Sequence, residues 1–383
     1  MFKFFALLLA VSAIALAAPN QKSTREASAC DTSACSLPSC RCLGTDVPGG
    51  LDPSEIPQLV LLTFDDAITA LNYDTYFEPL FFDRTNPDGC VVQSTHFMSH
   101  EYTDYSKVQQ LHAHGQEIAL HSITHEPYID YWNNLDVEGY IGEFGGEREL
   151  VAHFANIPAE DIQGARVPLL QLAGDTYFEA FDTADLGYDC SWPTQSYMDP
   201  PLWPYTLDYL SNQDCPIGTC PKQSYPGRWI QPMVNWLDTS GYVCSMVDSC
   251  VFAPTETSEI LEWIKTNFNR HYLSNRAPFG FYVHAAWFQR NANNLEAYSQ
   301  FLDYLATLND VYIVSVQRAL EWVKNPQPLS SLSNVWPSCP NTYTATCNAR
   351  SCPLSKGAEL RYMMQCRNSC PNVYPWLHNP LGN

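Results

Sequence analysis

The stretch LVLLTFDD, residues 59–66, places two adjacent acids directly after six mostly apolar residues. A short apolar run of this length is typical of a buried strand. The like charges of Asp65 and Asp66 repel each other, and a carboxylate is costly to remove from water unless something compensates it. The stretch therefore predicts a buried strand that ends at a site where a positive species stabilises two carboxylates.

Strand-like and helical patterns alternate over most of the chain, from about residue 57 to residue 325. Such alternation is typical of an α/β fold with parallel strands, either a barrel or an open sheet. The predicted strands are 59–64, 91–98, 116–121, 162–167, 185–190, 279–286 and 311–316. The predicted helices are 68–82, 105–114, 137–154, 256–273 and 293–308.

Both ends of the chain differ from this central region. Residues 1–17 have a lysine, an apolar run and a small-residue cleavage pattern, as in a secretory signal peptide. All fifteen cysteines follow that segment, and export with this density predicts disulfides with at least one cysteine unpaired. We expect a Cys-rich arm over residues 18–50, a central domain over 51–326, and a second Cys-rich arm over 327–383 that packs on it.

Residues 192–250 interrupt the alternation. They contain many prolines, four cysteines, and the tryptophans Trp192, Trp203, Trp229 and Trp236. We interpret the segment as an insertion stapled by disulfides. Most of its tryptophans are expected to pack inside the fold, although such rings could also line a groove.

The net charge of −21 argues against some partners. Nucleic acid and anionic membrane surfaces repel a chain this acidic, whereas a neutral or cationic substrate remains compatible with it. No later segment has the roughly 18 unbroken apolar residues of a membrane span. We therefore expect an exported, soluble monomer with no nucleic acid or membrane partner.

Ionisable side chains collect at or near the trailing ends of the predicted strands. In parallel α/β folds these ends converge on one face, where such residues form a site. The residues are Asp65, Asp66, His121, His125, Arg166, Asp189 and His284.

Two histidines and a carboxylate suit zinc or a related divalent ion, with one position left open for water. Such an ion would neutralise one aspartate of the pair, and the other could then take a proton from water. His284 could protonate a leaving group, and Arg166 could hold the basic aspartate by a charge-assisted hydrogen bond.

The spacing of the histidines is weak evidence when taken alone. His96 and His100 have the same spacing as His121 and His125 but no partnering acid at a strand end, so they are left out of the site. Neither HExxH nor GxSxG occurs in the sequence. A glycosidase with two catalytic carboxylates remains an alternative, although it would leave the strand-end histidines and Arg166 without a role.

At these residues the sequence resembles the polysaccharide deacetylases of carbohydrate esterase family 4, and most closely those of insects that act on chitin. The resemblance covers nearly the whole chain after residue 17 and includes five motifs in the family's order. They are TFDD (63–66), HSITH (121–125), ARVP (165–168), YDCSW (188–192) and YVHAAW (282–287).

The resemblance implies a distorted (β/α) barrel and a catalytic domain over residues 51–326. It also implies roles for the site residues. Asp65 would be the general base, with Asp66, His121 and His125 as zinc ligands, His284 as general acid, Arg166 orienting Asp65, and Asp189 tuning His284.

The resemblance further implies a substrate pocket. Trp192 would form part of its wall, and Leu169, Trp229 and Trp287 are expected to contact substrate with it. Leu169 stands where the family usually has an aromatic residue after the motif's proline. Its backbone N–H is retained, so we expect a changed pocket shape before any loss of oxyanion stabilisation.

The implied reaction is hydrolysis of N-acetyl groups in chitin, with zinc as the ion and cobalt or nickel as other candidates. The residues before the catalytic region are too few for the chitin-binding module of many insect members, which favours the gut lumen or peritrophic matrix over cuticle. A matrix protein that binds chitin without cleaving it remains the alternative.

Overall fold

A computed structural model of the chain describes residues 26–383, so the predicted signal segment lies outside the described residues. The strands are β1 (Gln58–Asp65), β2 (Ser94–Met98), β3 (Glu117–Leu120), β4 (Gly164–Ala165), β5 (Tyr188–Asp189), β6 (Pro193–Thr194), β7 (Tyr205–Leu207), β8 (Tyr225–Ile230), β9 (Met233–Val234), β10 (Trp236–Leu237), β11 (Val243–Cys244), β12 (Phe279–His284), β13 (Val311–Ile313), β14 (Arg350–Lys356) and β15 (Glu359–Gln365).

The helices alternate with the strands along most of the described chain. They are α1 (Ala70–Asn72), α2 (Glu78–Phe81), α3 (Tyr105–Ala113), α4 (Ile129–Asn134), α5 (Val137–Tyr140), α6 (Gly146–Ala155), α7 (Gly174–Thr183), α8 (Thr257–Tyr272), α9 (Ala286–Arg290), α10 (Ala292–Leu305) and α11 (Val316–Lys324). Single π-helical turns, Tyr73–Phe77 and Ile141–Gly145, join α1 to α2 and α5 to α6.

One nine-stranded sheet forms the centre of the fold. Its order is β12-β1-β2-β3-β4-β5-β8-β7, and β13 pairs with the first residues of β1. Every pairing in it is parallel except that of β7 with β8. The predicted α/β class with parallel strands is confirmed.

The sheet curls into an open, distorted barrel. In a flat sheet, six spacings of about 4.8 Å would separate β12 from β8 by roughly 29 Å. Instead, the hydroxyl of Tyr282 in β12 donates to the carbonyl oxygen of Pro232, just after β8, at 3.2 Å. The curl thus brings opposite ends of the sheet together, as the family resemblance implied.

Between Gln58 and Asp65, strand β1 is apolar apart from Thr63, and both of its faces are buried. Leu59 and Leu61 pack with Phe97 and Tyr282 inside the barrel. The alternate residues, of which Phe64 is the last, pack against the helices outside it. The buried strand therefore leads directly to Asp65, its last residue, and to Asp66, the residue after it.

Several elements were not predicted from the sequence. The helices α7 and α11 were missed, although Ser315 caps α11 by accepting a hydrogen bond from the N–H of Arg318. Residues 192–250 also contribute β7 and β8 to the main sheet, so this segment is partly built into the barrel.

Disulfides staple both arms, as predicted. The described pairs are Cys30–Cys42, Cys35–Cys40, Cys90–Cys339, Cys215–Cys220, Cys244–Cys250, Cys347–Cys366 and Cys352–Cys370. Cys190 is the unpaired cysteine that the odd count requires, and it is buried. Within residues 26–383, none of the helices combines the length and apolar character that a bilayer crossing needs.

Candidate active site and metal centre

The predicted site residues converge because the parallel strands β12, β1, β3 and β4 end at the same edge of the barrel, with β2 between β1 and β3. Asp65 and His284 are the last residues of β1 and β12 and are paired in register. His121 directly follows β3, and Arg166 directly follows β4. The sequence prediction that strand-end residues form one cluster holds for these four.

Asp66, His121 and His125 form a compact donor set. Their ligand atoms all lie within 4.8 Å of one another. His125 Nε2 is 3.1 Å from Asp66 Oδ1, and the two imidazole rings are 4.9 Å apart between centroids. Two imidazole nitrogens and one carboxylate oxygen at this separation fit a single divalent cation with open positions.

The backbone of this cluster adopts conformations that side chains rarely take. Asp66 has a φ of 80°, Ser122 of 81° and His125 of 46°. Left-handed backbone is unfavourable for residues other than glycine, and it persists only where the surroundings enforce it. The strained backbone costs local stability, and it directs the side chains of Asp66 and His125 toward the same point.

His121 is held in the state that a metal ligand needs. Its Nδ1–H donates to the carbonyl oxygen of Arg166 at 2.7 Å, which leaves the lone pair of Nε2 directed into the cluster. Burial lowers the pKa of His121 to about 4, although Asp65 nearby opposes this shift. The imidazole is therefore neutral near pH 7 and available to a cation.

Asp66 and His125 stabilise each other across the same cluster. Burial alone would raise the pKa of Asp66, but the hydrogen bond with His125 and the other nearby imidazoles hold it well below its usual range. For His125, burial lowers the pKa, but the hydrogen bond to Asp66 and the charges of Asp66 and Asp65 together outweigh it, so the net shift is upward. A carboxylate that stays ionised is suited to bind a cation.

Arg166 anchors Asp65 from inside the barrel. Its guanidinium is fully buried and donates to Asp65 Oδ1, to Thr63 Oγ1 at 3.0 Å and to the carbonyl oxygen of Cys190 at 2.7 Å. It also lies 4.0 Å from the ring centroid of Phe97. Burial would lower the pKa of Arg166, but Asp65 and Cys190 together outweigh that effect and the pKa rises, so Asp65 faces a permanent cation.

Two buried glutamates support the loop between His121 and His125. Glu147 accepts the backbone N–H of Ser122 at 2.6 Å, and Glu143 accepts the backbone N–H of Thr124 at 3.0 Å. Burial raises the pKa of both glutamates. These bonds compensate the strained backbone that presents the two histidines.

We expect Glu147→Ala to weaken zinc binding by about 10–100-fold, the usual cost of losing a group that supports metal ligands. The N–H of Ser122 would lose its acceptor, and the loop would relax away from the geometry that brings His121 and His125 together. Competition with a chromophoric chelator measures the dissociation constant. Glu149→Ala, an exposed glutamate on the same helix, is the matched control, and equal affinities for the two variants would contradict the assigned support.

The partner of His284 differs from the prediction. His284 Nδ1 lies 2.8 Å from Oδ2 of Asp248, and the two groups form an ion pair when the ring is protonated. Burial lowers the pKa of His284, but this bond and the charge of Asp65 raise it to about 9.

The expectation that Asp189 tunes His284 is therefore corrected. Asp189 is fully buried, accepts hydrogen bonds from Ser191 N–H and Oγ–H and from the hydroxyl of Tyr177, and has its pKa raised by burial to about 6. Asp248 was not predicted from the sequence, although it is the lone charged residue between Cys244 and Cys250.

The predicted aromatic wall of the pocket is also corrected. Trp192 is 0% exposed because its ring packs near Phe178 and its N–H donates to the carbonyl oxygen of Asp214. Trp229 and Trp287 are 3% and 4% exposed and belong to the core clusters. These tryptophans stabilise the fold and do not offer a face to a polysaccharide.

Leu169 is the exception among the predicted substrate contacts. Its side chain is 44% exposed, and its φ of 58° places it in a left-handed turn directly after the Arg166 segment. A strained, exposed residue beside buried site residues is consistent with a role in binding.

Proteins of known sequence place the chain in a family. Chitin deacetylase 8 of Bombyx mori is 44% identical over 360 residues, which cover 93% of this chain and 94% of that protein. Chitin deacetylase 1 of Bombyx mori is 36% identical over 374 residues, 92% of this chain and 68% of that protein. No protein-family model matches the chain.

Among solved structures, a protein described as a polysaccharide deacetylase of Mycobacterium smegmatis aligns with a TM-score of 0.46 and 17% identity, over 74% of this chain and 95% of that one. The identity and coverage of the two Bombyx mori proteins decide the assignment. The chain belongs to the insect chitin deacetylases, polysaccharide deacetylases of carbohydrate esterase family 4.

Proposed function

We propose that this protein is a secreted, metal-dependent deacetylase that removes N-acetyl groups from N-acetylglucosamine units of chitin or chito-oligosaccharides. The observation that carries the proposal is the convergence of the Asp66, His121 and His125 donors beside Asp65 and His284. A base and an acid from adjacent strand ends thus stand next to a site for a cation. The names of the Bombyx mori relatives support chitin as the substrate.

Zinc, or cobalt or nickel in its place, would be held by Asp66, His121 and His125. A divalent cation held there would supply Lewis-acid chemistry, which lowers the pKa of water and polarises a carbonyl oxygen. Two imidazoles and one carboxylate are the donor types that catalytic zinc takes from a protein.

Asp65 serves as the general base in this proposal. Its carboxylate takes a proton from the attacking water while the water oxygen forms a bond to the acetyl carbon. Arg166 holds one carboxylate oxygen by a charge-assisted hydrogen bond, so the other is free to accept the proton. The pair is buried, which fixes its orientation before substrate arrives.

His284 serves as the general acid. When the bond between the acetyl carbon and the nitrogen breaks, its electron pair goes to the nitrogen, which takes a proton from the ring of His284. The products are acetate and a glucosamine unit. We propose that the backbone N–H of Leu169 stabilises the oxyanion that forms before that step.

The test is acetate release from N-acetylglucosamine oligomers by the purified, zinc-loaded protein, counted together with the free amines that appear. Equal amounts of both products are expected. Retention on chitin without release of either product would favour the matrix-protein alternative.

We further propose that the protein acts in the gut lumen or the peritrophic matrix as a monomer. The many disulfides support an oxidising compartment.

A further inference from the structure

The loop between Cys244 and Cys250 brings a buried carboxylate to the candidate general acid. Asp248 comes from a different segment of the chain from the other site residues. Its side chain is 3% exposed, and its Oδ2 lies 2.8 Å from Nδ1 of His284. A buried carboxylate is costly unless it is paired, so this contact satisfies both groups.

The loop is built to hold Asp248 in one place. The disulfide Cys244–Cys250 closes it over six residues, and Asp248 lies in the 3-10 turn Val247–Ser249. The turn is fixed because Ser249 Oγ donates to the carbonyl oxygen of Met246 at 2.7 Å. Few backbone conformations remain open to such a short closed loop.

Arg290 fixes the same loop from the other side. Its guanidinium donates to the backbone carbonyl oxygen of Asp248 at 2.8 Å and lies 3.8 Å from the carboxylate. The side chain of Arg290 is itself 59% exposed. It therefore holds Asp248 without being part of the core.

We propose that Asp248 is the positioning residue of the general acid. Its carboxylate accepts the Nδ1–H of His284, so that the ring turns its Nε2–H toward the nitrogen of the departing amine. Asp189, which the family resemblance suggested for this task, is occupied by Ser191 and Tyr177. This inference rests on the proposed function, because it assigns how the proposed acid is oriented.

The leaving group provides a test that a merely structural role would not satisfy. A sugar amine must receive a proton as it departs, whereas para-nitrophenolate leaves without one. A variant with a misplaced general acid should therefore fail on the acetamide and keep its rate on an aryl acetate ester. Damage to the metal site or to Asp65 should slow both reactions.

We expect Asp248→Asn to lower kcat for the N-acetylglucosamine tetramer by about 10–100-fold, part of the contribution of a general acid, and to leave para-nitrophenyl acetate hydrolysis near that of the unchanged protein. The metal-loaded, full-length protein is used throughout. The double variant Cys244→Ser, Cys250→Ser should show the same selective loss, because it opens the loop.

Asp238→Asn is the matched control. Asp238 is a buried acid near the same loop, and its carboxylate accepts a hydrogen bond from the backbone N–H of Tyr242. We expect it to slow both substrates equally or neither. If Asp248→Asn does not fold, Arg290→Gln should give a smaller loss in the same direction, because its exposed side chain is not needed for the core.

The outcomes separate the inference from the proposed function. An unchanged kcat for Asp248→Asn on the tetramer, or an equal loss on both substrates, would overturn the inference and leave the deacetylase standing. An unchanged protein that cleaves neither substrate when loaded with zinc would refute the proposed function and the inference together.

Discussion

Asp65→Asn lowers kcat for deacetylation of N-acetylglucosamine oligomers by about 10²–10⁴-fold, the contribution expected of a general base. The amide cannot accept the proton of water. Its oxygen can still receive the hydrogen bond of Arg166, which also keeps its bonds to Thr63 and to Cys190. The loss therefore falls on the proton transfer, and we expect zinc content to be unchanged.

Acetate release and thermal unfolding are measured on the same preparation. The control is Asp74→Asn, since Asp74 is an exposed acid that pairs with Lys107 on the surface. The control should keep full activity. A fully active Asp65→Asn variant would remove Asp65 from the mechanism, and a variant with less bound zinc would assign it to the metal site instead.

Removal of the cation, by a chelator or by His121→Ala, should have the second large effect. His121 contributes a buried, neutral imidazole whose other nitrogen is fixed by the carbonyl oxygen of Arg166, and alanine offers no donor. We expect activity to fall below about one thousandth of its value, since water is then no longer activated. Added zinc should restore the chelated protein and should fail to restore His121→Ala.

Stability should change with metal as well. A ligand that binds only the folded chain adds about 4 kcal/mol when present at a thousand times its dissociation constant. We expect thermal unfolding of the unchanged protein to shift upward with zinc, and that of His121→Ala to shift much less. His112→Ala, which removes a histidine bonded to Tyr343 and Asp161, is the control and should respond like the unchanged protein. Activity that survives complete removal of metal would contradict the proposed mechanism.

The sequence could predict that the site residues converge, because these residues lie at the ends of parallel strands. Asp65 directly follows a predicted strand, and His121, Arg166 and His284 lie within the last three residues of theirs; parallel topology brings such positions together. The strand β1 was equally predictable, since five of the six residues of its run 59–64 are apolar, with Thr63 as the exception. Local patterns sufficed for these features.

The parts that could not be predicted depend on tertiary contacts. Asp248 is separated from His284 by 36 positions and lies in a loop with no periodic pattern. Tryptophans such as Trp192 and Trp229 contain the same side chain whether they line a groove or fill a core, and only packing distinguishes the two. The roles assumed for them and for Asp189 came from the resemblance, and the contacts of the fold reassigned them.

The disulfide between Cys90 and Cys339 determines whether cleavage of the backbone would release the C-terminal arm. It links the region just before β2 to the C-terminal arm across 249 positions. Exposed residues such as Pro337 and Ser338 lie within that arm, in the loop just before Cys339, and proteases favour exposed loops. A protein nicked there would remain one covalent molecule and keep its arm in place until a reductant released it.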